Sequence, residues 1–302
     1  MALAVVTVAS GGLPVVDVTA TSPKLGLPVT EAMRGVPVTK VAAGKPGMPT
    51  TFVTATGGPI ATGDPDWLNV VLLIPASGAD GATAVPDASP IARGNGTILG
   101  TGGGAAGTVE LDTAQFLFGS SSLLSSKLTG AYRGEINWGY SANLAAAAFC
   151  IESFARFSSV TPPQTLMGSW SDAGSLLSWV VFLHTDGKLY LTVSTTGSDA
   201  INVVSGTWNP IINTWYYIRI DFNGTTYRAY MGLASDTTAP MIGSSTTVRT
   251  IFNGTRPLAL LGGNNNQPFL GWMCPTRVTL GTARSPSDAG VPVPKASFPI
   301  GP

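Results

Sequence analysis

The chain has 302 residues with 16 basic and 16 acidic side chains, a formal net charge of zero, and only 11% charged residues against 37 glycines and 23 prolines. A chain so poor in charge carries no electrostatic footprint for nucleic acid and no basic amphipathic stretch for a membrane surface, and its 44% hydrophobic content is too high for disorder. Two cysteines, Cys150 and Cys274, are too few for a disulfide-built fold or a cysteine-rich zinc site, so no metal and no cofactor is expected.

The opening "MALAVVTVAS" lacks the positively charged start of a signal peptide, and its Val/Thr alternation reads as strand. Through about residue 65 one pattern recurs: Gly, an apolar residue, Pro, then a β-branched residue, around Pro14, Pro28, Pro37 and Pro49. Proline cannot donate to a sheet ladder, so it is confined to edges, strand starts and extended segments. Each unit therefore reads as a short extended piece ended by a glycine turn, burying little within one chain. Residues 1–65 are predicted to form an extended anchoring region that assembles the chain into a homo-oligomer, a trimer, or seats it on a larger assembly.

From Asp66 the texture changes, and residues 66–302 read as a second domain. "WLNVVLLIP" is an apolar strand, too short to span a bilayer. After a Gly/Ala/Pro/Asp-rich stretch to about Gly107, strand-sized runs follow: "TVELD", "AQFLFG", "SSLLSSKL", "FCIESFARF", "WVVFLHT", "KLYLTVS", "INVVSG", "TWYYIRIDF", "TTYRAYMGL", "RPLALLGG" and "FLGWMCPTRVTLG". Short strands at this spacing, with turn residues between them, predict an all-β antiparallel sandwich or jelly roll.

One hairpin can be drawn from the sequence. Asn223-Gly224 is the preferred pair for a two-residue turn, which sets Phe222 opposite Thr225, Ile220 opposite Tyr227, Ile218 opposite Ala229 and Tyr216 opposite Met231. That apolar face is predicted core. The other face carries Tyr217 and Tyr230 and puts Arg219 opposite Arg228, an unfavourable like-charge pair relieved by Asp221. It is expected to meet solvent or a partner.

Taken in order, "NVVLLIPASGADGATAVPDAS", "AQFLFGSSSLLSS", "FCIESFARF", "TWYYIRIDFNGTTYRAYMGL" and "FLGWMCPTRVTLGTARSPSDAGVPVPKASFP" resemble the laminin-G-like, concanavalin A-like jelly roll in the form common in bacteriophage virion proteins. The resemblance covers roughly residues 68–300. It departs from the family at Cys274-Pro275, where the closing strand commonly has an Asp-Glu pair, and it lacks an evident Asp-His or Asp-Gly metal cluster, so calcium does not carry over. The resemblance also implies that the strands holding Cys150 and Cys274 lie near each other. A disulfide between them, buried free thiols, and an interchain bond all remain open at this level. Pro275 suggests an edge or a bulge.

Glycan hydrolysis on such a scaffold needs two closely placed carboxylates. The four glutamates, Glu31, Glu110, Glu135 and Glu152, show no such spacing, and the lone His184 reads as structural. No enzymatic activity is expected. Glycan binding needs an aromatic ring to stack on a pyranose and turn Asp, Asn or Gln side chains for its hydroxyls. Two loops offer these: "GSWSDAGS", with Trp170 and Asp172, and "GGNNNQPF", with Asn264, Asn265, Asn266 and Gln267. Against this, Trp170 can be core, and turn chemistry alone accounts for the Asn run. Three Asn-Gly-Thr triplets, at Asn95, Asn223 and Asn253, read as turns before they read as glycosylation sequons.

With the resemblance, these readings give a non-enzymatic structural protein of a phage-like virion: a head decoration, a neck or collar appendage, or a tail fibre. It is located in the extracellular particle, assembled in the host cytoplasm, beside other virion structural proteins, with host-surface glycans as expected ligands. A bacterial surface or secreted lectin-like adhesin is the alternative.

Overall fold

The computed structural model describes residues 41–42, 52–53, 63–100, 109–126, 134–145, 148–161, 163–171, 176–262 and 267–302. The chain divides into two compact units, residues 1–62 and 63–302. In the first, Val41–Ala42 and Phe52–Val53 pair antiparallel, with Val41 opposite Val53. Pro14, Pro28, Pro37 and Pro49, on which the expected anchoring role rests, lie outside the described residues.

The second unit is an antiparallel β-sandwich with no α-helix among its described residues. The strands of its two large sheets, in chain order, are β1 (Val70–Ile74), β2 (Thr97–Gly100), β3 (Val109–Asp112), β4 (Ser122–Ser125), β5 (Gly134–Asn137), β6 (Phe149–Phe157), β7 (Gln164–Ser169), β8 (Trp179–Leu183), β9 (Lys188–Val193), β10 (Ile201–Thr207), β11 (Trp215–Phe222), β12 (Tyr227–Leu233), β13 (Met241–Ser245), β14 (Ala259–Leu260) and β15 (Gly271–Leu280). One sheet runs β13-β12-β11-β6-β15-β4-β3, with β1 also pairing to β15; the other runs β10-β9-β8-β7-β14-β5-β2. The run "AQFLFG" forms bends instead of the predicted strand. There the Asp112 carboxylate accepts from Ala114 N at 2.7 Å and turns the chain, and Phe118 sets its ring edge-on against Phe154 at 5.2 Å.

Alternation sorts each strand between two cores. In β11, Tyr216, Ile218, Ile220 and Phe222 face the opposite sheet, where Trp179, Val181, Leu183, Leu189 and Leu191 meet them. This is the predicted apolar face. The hairpin register differs from the sequence prediction by two residues: Phe222 lies opposite Tyr227, Ile220 opposite Ala229 and Ile218 opposite Met231. The reason is local. Asn223 Oδ1 accepts from Thr225 N and Thr226 N at 3.2 and 2.9 Å, closing a four-residue loop instead of a two-residue one. A shift of two keeps every side chain on its predicted face. It also replaces the Arg219–Arg228 clash by Arg219 opposite Tyr230 and Asp221 opposite Arg228.

The outer face of β11 and β12 is not left for solvent or a partner, as the sequence suggested. Their own C-terminal tail covers it: Val291, Val293 and Phe298 pack on Phe154, Tyr217 and Tyr230 in a second core. At the far edge the two sheets approach so closely that a Cβ on Gly243 would lie 2.0 Å from Ser205 O.

Of the three states left open for the cysteines, the structure shows buried free thiols. Strands β6 and β15 are neighbours, but Cys150 lies opposite Thr279, five residues from Cys274. That is about 16 Å along the strand, far beyond disulfide reach. The two also face opposite ways. Cys150 sits on the tail-covered side beside Glu152, and Cys274 lies in the main core with its Sγ 3.7 Å from Ile74 O. Cys274-Pro275 falls at a bulge between Ser153 and Ala155, as Pro275 suggested, but the bulge turns the thiol inward.

Candidate functional site

Two polar constellations stand out, one on the outer side of each sheet. The first is a buried charge network. Glu152, on β6, accepts from Tyr217 Oη at 2.6 Å and from Arg277 Nε and Nη2 at 2.9 and 2.6 Å. Arg277 reaches back with Nη1 to Asp64 at 2.7 Å, and Arg284 forks both terminal nitrogens onto the same carboxylate at 2.8 Å. Arg219 donates to Asp221 at 3.1 Å and to the carbonyls of Ala283 and Arg284 at 2.7 Å. Glu152, Tyr217, Arg219, Arg277 and Arg284 line an open cleft of about 320 Å³ with Pro65, Asp66, Ser285 and Pro292.

Burial alone would raise the Glu152 carboxyl, but the charges of Arg277 and Arg219, the Tyr217 hydroxyl and the charge of Arg284 outweigh it and hold it below the usual carboxylate range. Asp64 behaves likewise: burial raises it, and Arg284 and Arg277 pull it down further. Asp221 goes the other way. Its burial outweighs the attraction of Arg219 and Arg228, pushing it up to about 6, and its Oδ1 has no hydrogen-bond partner among the described residues. Both oxygens of Glu152 are thus occupied by groups of the chain itself, and the arginine forks are spent on internal carboxylates. The network fastens the chain's entry at Asp64 and its tail at Arg284 to the sheet. It offers no free carboxylate pair for acid–base chemistry.

The second constellation sits at the β8–β9 turn. Hairpin pairing sets Phe182 opposite Tyr190, and their rings stack at 5.7 Å and 26°. His184 closes the row edge-on to Tyr190 at 5.1 Å. Asp186, in the turn, accepts from Tyr190 Oη at 2.9 Å and from Lys188 N at 3.1 Å, with His184 Nδ1 at 3.2 Å and Lys188 Nζ at 3.7 Å. Partial burial and the Asp186 bond raise the Tyr190 phenol. Desolvation pushes the Asp186 carboxyl up, but the hydrogen bonds from Tyr190 and Lys188 N, with the His184 ring beside it, together outweigh that and hold it below the usual carboxylate range. The side chains of His184, Asp186 and Lys188 are 43%, 37% and 42% exposed, so an aromatic edge, a carboxylate and a cation meet solvent together.

The sequence-predicted glycan residues distribute differently. Trp170 is only 4% exposed and packs with Leu177, Val180 and Phe182, against which Tyr190 also rests. It is the buried end of the aromatic row whose accessible end is His184. Asp172, Asn264, Asn265 and Asn266 lie outside the described residues. Gln267 is half-buried, its backbone carbonyl accepts from Thr165 N at 2.8 Å, and its Oε1 has no described partner. Thr165 lies near the start of β7 (Gln164–Ser169) and Trp170 follows its end, so Gln267 and Trp170 sit at opposite ends of one strand. From sequence alone His184 reads as an isolated, structural histidine. The signal that recovers it is the symmetry of "FLHTDGKLY", in which an Asp-Gly turn folds Phe182-x-His184 back on Lys188-x-Tyr190.

No family model matches the sequence, and no curated protein matches it. The structure is similar to binding-domain β-sandwiches. One is the fourth domain of a GH43 extracellular arabinanase from Geobacillus stearothermophilus, in complex with arabinotriose, at 16% identity and TM-score 0.44, covering 62% of this chain and 83% of that one. Others are the binding domain of botulinum neurotoxin serotype D, at 11% identity and TM-score 0.48, covering 72% and 49%, and that of serotype C1, at 13% and 0.48, covering 71% and 49%. The chain spans about half the length of the toxin domains. The likeness is one of fold.

Proposed function

We propose that this chain is a non-catalytic binding protein of a phage-like virion, attached through residues 1–65 as a homotrimer beside other virion proteins, with the sandwich presented to host-surface glycans. The observation that carries the binding role is the solvent end of the aromatic row. There the His184 and Tyr190 edges, with Asp186 and Lys188 beside them, supply a stacking surface and hydroxyl partners within one short turn. Such a mixed patch suits a pyranose, whose apolar face stacks while its hydroxyls take up acceptors and donors. The engagement of Glu152 by Tyr217 and Arg277, and of Glu135 by Arg256 at 2.5 Å, supports binding over hydrolysis. The virion role rests on the sequence resemblance and on the division of the chain into a Pro-punctuated N-terminal unit and a sandwich.

A glycan array probed with the full chain and with Tyr190→Ala tests the reading. Binding to a defined set of glycans that Tyr190→Ala abolishes is the expected result. An array blank for the wild type, or signals unchanged in the variant, overturns it.

A further inference from the structure

The three Asn-Gly-Thr triplets share one local sequence, and all three asparagines are exposed. Their backbones differ. Gly96 N donates to Val85 O at 2.8 Å and Gly254 N to Phe252 O at 3.0 Å. Gly224 N, at the exposed tip of the β11–β12 hairpin, has no hydrogen-bond acceptor among the described residues. The asparagine side chains differ too. Asn223 Oδ1 accepts three hydrogen bonds, from Thr225 N at 3.2 Å, Thr225 Oγ1 at 3.0 Å and Thr226 N at 2.9 Å. No such donors meet the side chains of Asn95 or Asn253 among the described residues.

We propose that Asn223 is a self-modifying position, converted to aspartate and isoaspartate by the fold that holds it. Solvent base removes the proton of Gly224 N, and this nitrogen attacks Asn223 Cγ. The new C–N bond closes a five-membered imide as the Cγ–Nδ2 bond breaks and ammonia leaves. Water then opens the imide at either carbonyl, with no change in oxidation state. The negative charge of the tetrahedral intermediate develops on Oδ1, the atom already facing two backbone N–H groups and a hydroxyl. These donors stabilise it as an oxyanion hole does. At Asn95 and Asn253 the attacking nitrogen is tied up and the oxygen is unsupported.

The direct product keeps the turn, because an aspartate oxygen accepts the same three bonds more strongly. The isoaspartate inserts a backbone methylene between Asn223 N, which now donates to Thr226 O at 3.3 Å, and the rest of the loop. Either product takes a chain of formal net charge zero to minus one.

The test is to age the full chain in mildly alkaline buffer, folded and in parallel in urea, and to follow the three sites by peptide mapping with mass spectrometry. Asn223→Asp serves as the isoelectric-focusing marker. One donor in a closed active site is worth about a hundredfold, so in this exposed loop Asn223 is expected to convert about fivefold or more faster than the other two in the folded chain. In urea, where only the shared Asn-Gly-Thr sequence remains, the three rates converge. Conversion of Asn95 or Asn253 as fast as Asn223 in the folded chain, or a preference for Asn223 that survives unchanged in urea, overturns the proposal.

Discussion

Replacing Asp64 by alanine removes the carboxylate on which the entry of the sandwich is fastened. Asp64 is fully buried, and the two guanidiniums it binds, Arg277 and Arg284, are 8% and 9% exposed. Breaking one partner of a buried ion pair costs about 3–5 kcal/mol, because the remaining charge stays desolvated. Arg277 keeps Glu152 at 2.6 Å, and Arg284 keeps a hydrogen bond to Thr279 Oγ1 at 2.7 Å with looser charge contacts to Asp66 at 3.6 Å and Glu152 at 3.7 Å. The expected loss is therefore at the low end, about 3 kcal/mol, a large share of a typical domain's stability. In a domain of this size that lowers the melting midpoint by roughly 6–12 °C. Urea unfolding should show a lower midpoint with an unchanged slope. A chain begun at Gly63 should match the sandwich of the full protein, and one begun at Asp66 should lose as much as Asp64→Ala. The folded pKa values of Asp64 and Glu152 are depressed, so the stability they confer is complete above about pH 5 and drains away as the pH falls through those lower values. An Asp64→Ala chain within about 0.5 kcal/mol of wild type (the scatter of an ordinary surface change), or a chain begun at Asp66 as stable as one begun at Gly63, refutes the reasoning.

Asp221 has the opposite sign. Its carboxyl is raised to about 6, so the fold binds a proton more tightly than the unfolded chain does, and stability declines as the pH rises through 6. Asp221→Asn should remove that slope, shifting the variant-minus-wild-type stability on the order of 3 kcal/mol in the variant's favour between pH 4 and pH 8. Parallel curves would contradict it. Gly243→Ala should cost about 2 kcal/mol or more by thermal unfolding, because its Cβ would meet the carbonyl of Ser205 at 2.0 Å. Burial pushes the Cys150 and Cys274 thiols up, so neither should react with a thiol reagent at neutral pH until the chain unfolds, whereupon both label without reductant. A bridge retained on unfolding would show as missing label.

Local pattern made much of the fold legible. Strands such as β6, β8 and β11 carry strong β-formers between turn signals, and the core face of the β11–β12 hairpin follows from alternation alone. Register does not, because it depends on whether Asn223 turns the chain by its backbone or by its side chain. The strands β5 "GEIN" and β7 "QTLMGS" escaped because every position in them is buried and most are Gly or polar, leaving no alternation to read. The charge network was invisible for another reason. Asp64 and Arg277 are 213 residues apart in sequence, and only closure of the sandwich over its own tail brings them together. Trp170 shows the limit of reading aromatics in loops. Its flanking Ser and Asp suggest exposure, and its burial against Phe182 depends on a neighbouring strand. The accessible rings, on His184 and Tyr190, lie at the next turn.

The most direct measurement maps where a bound glycan touches the sandwich. Nuclear magnetic resonance spectra of isotopically labelled residues 63–302, titrated with the strongest ligand from the glycan array, report the contact residue by residue. Shifts concentrated at His184, Asp186, Lys188 and Tyr190 are expected, fading toward the buried Trp170. Shifts centred instead on Gln267 and the adjoining loop, or on the cleft between Arg219 and Arg284, would contradict the assignment of binding to the aromatic row.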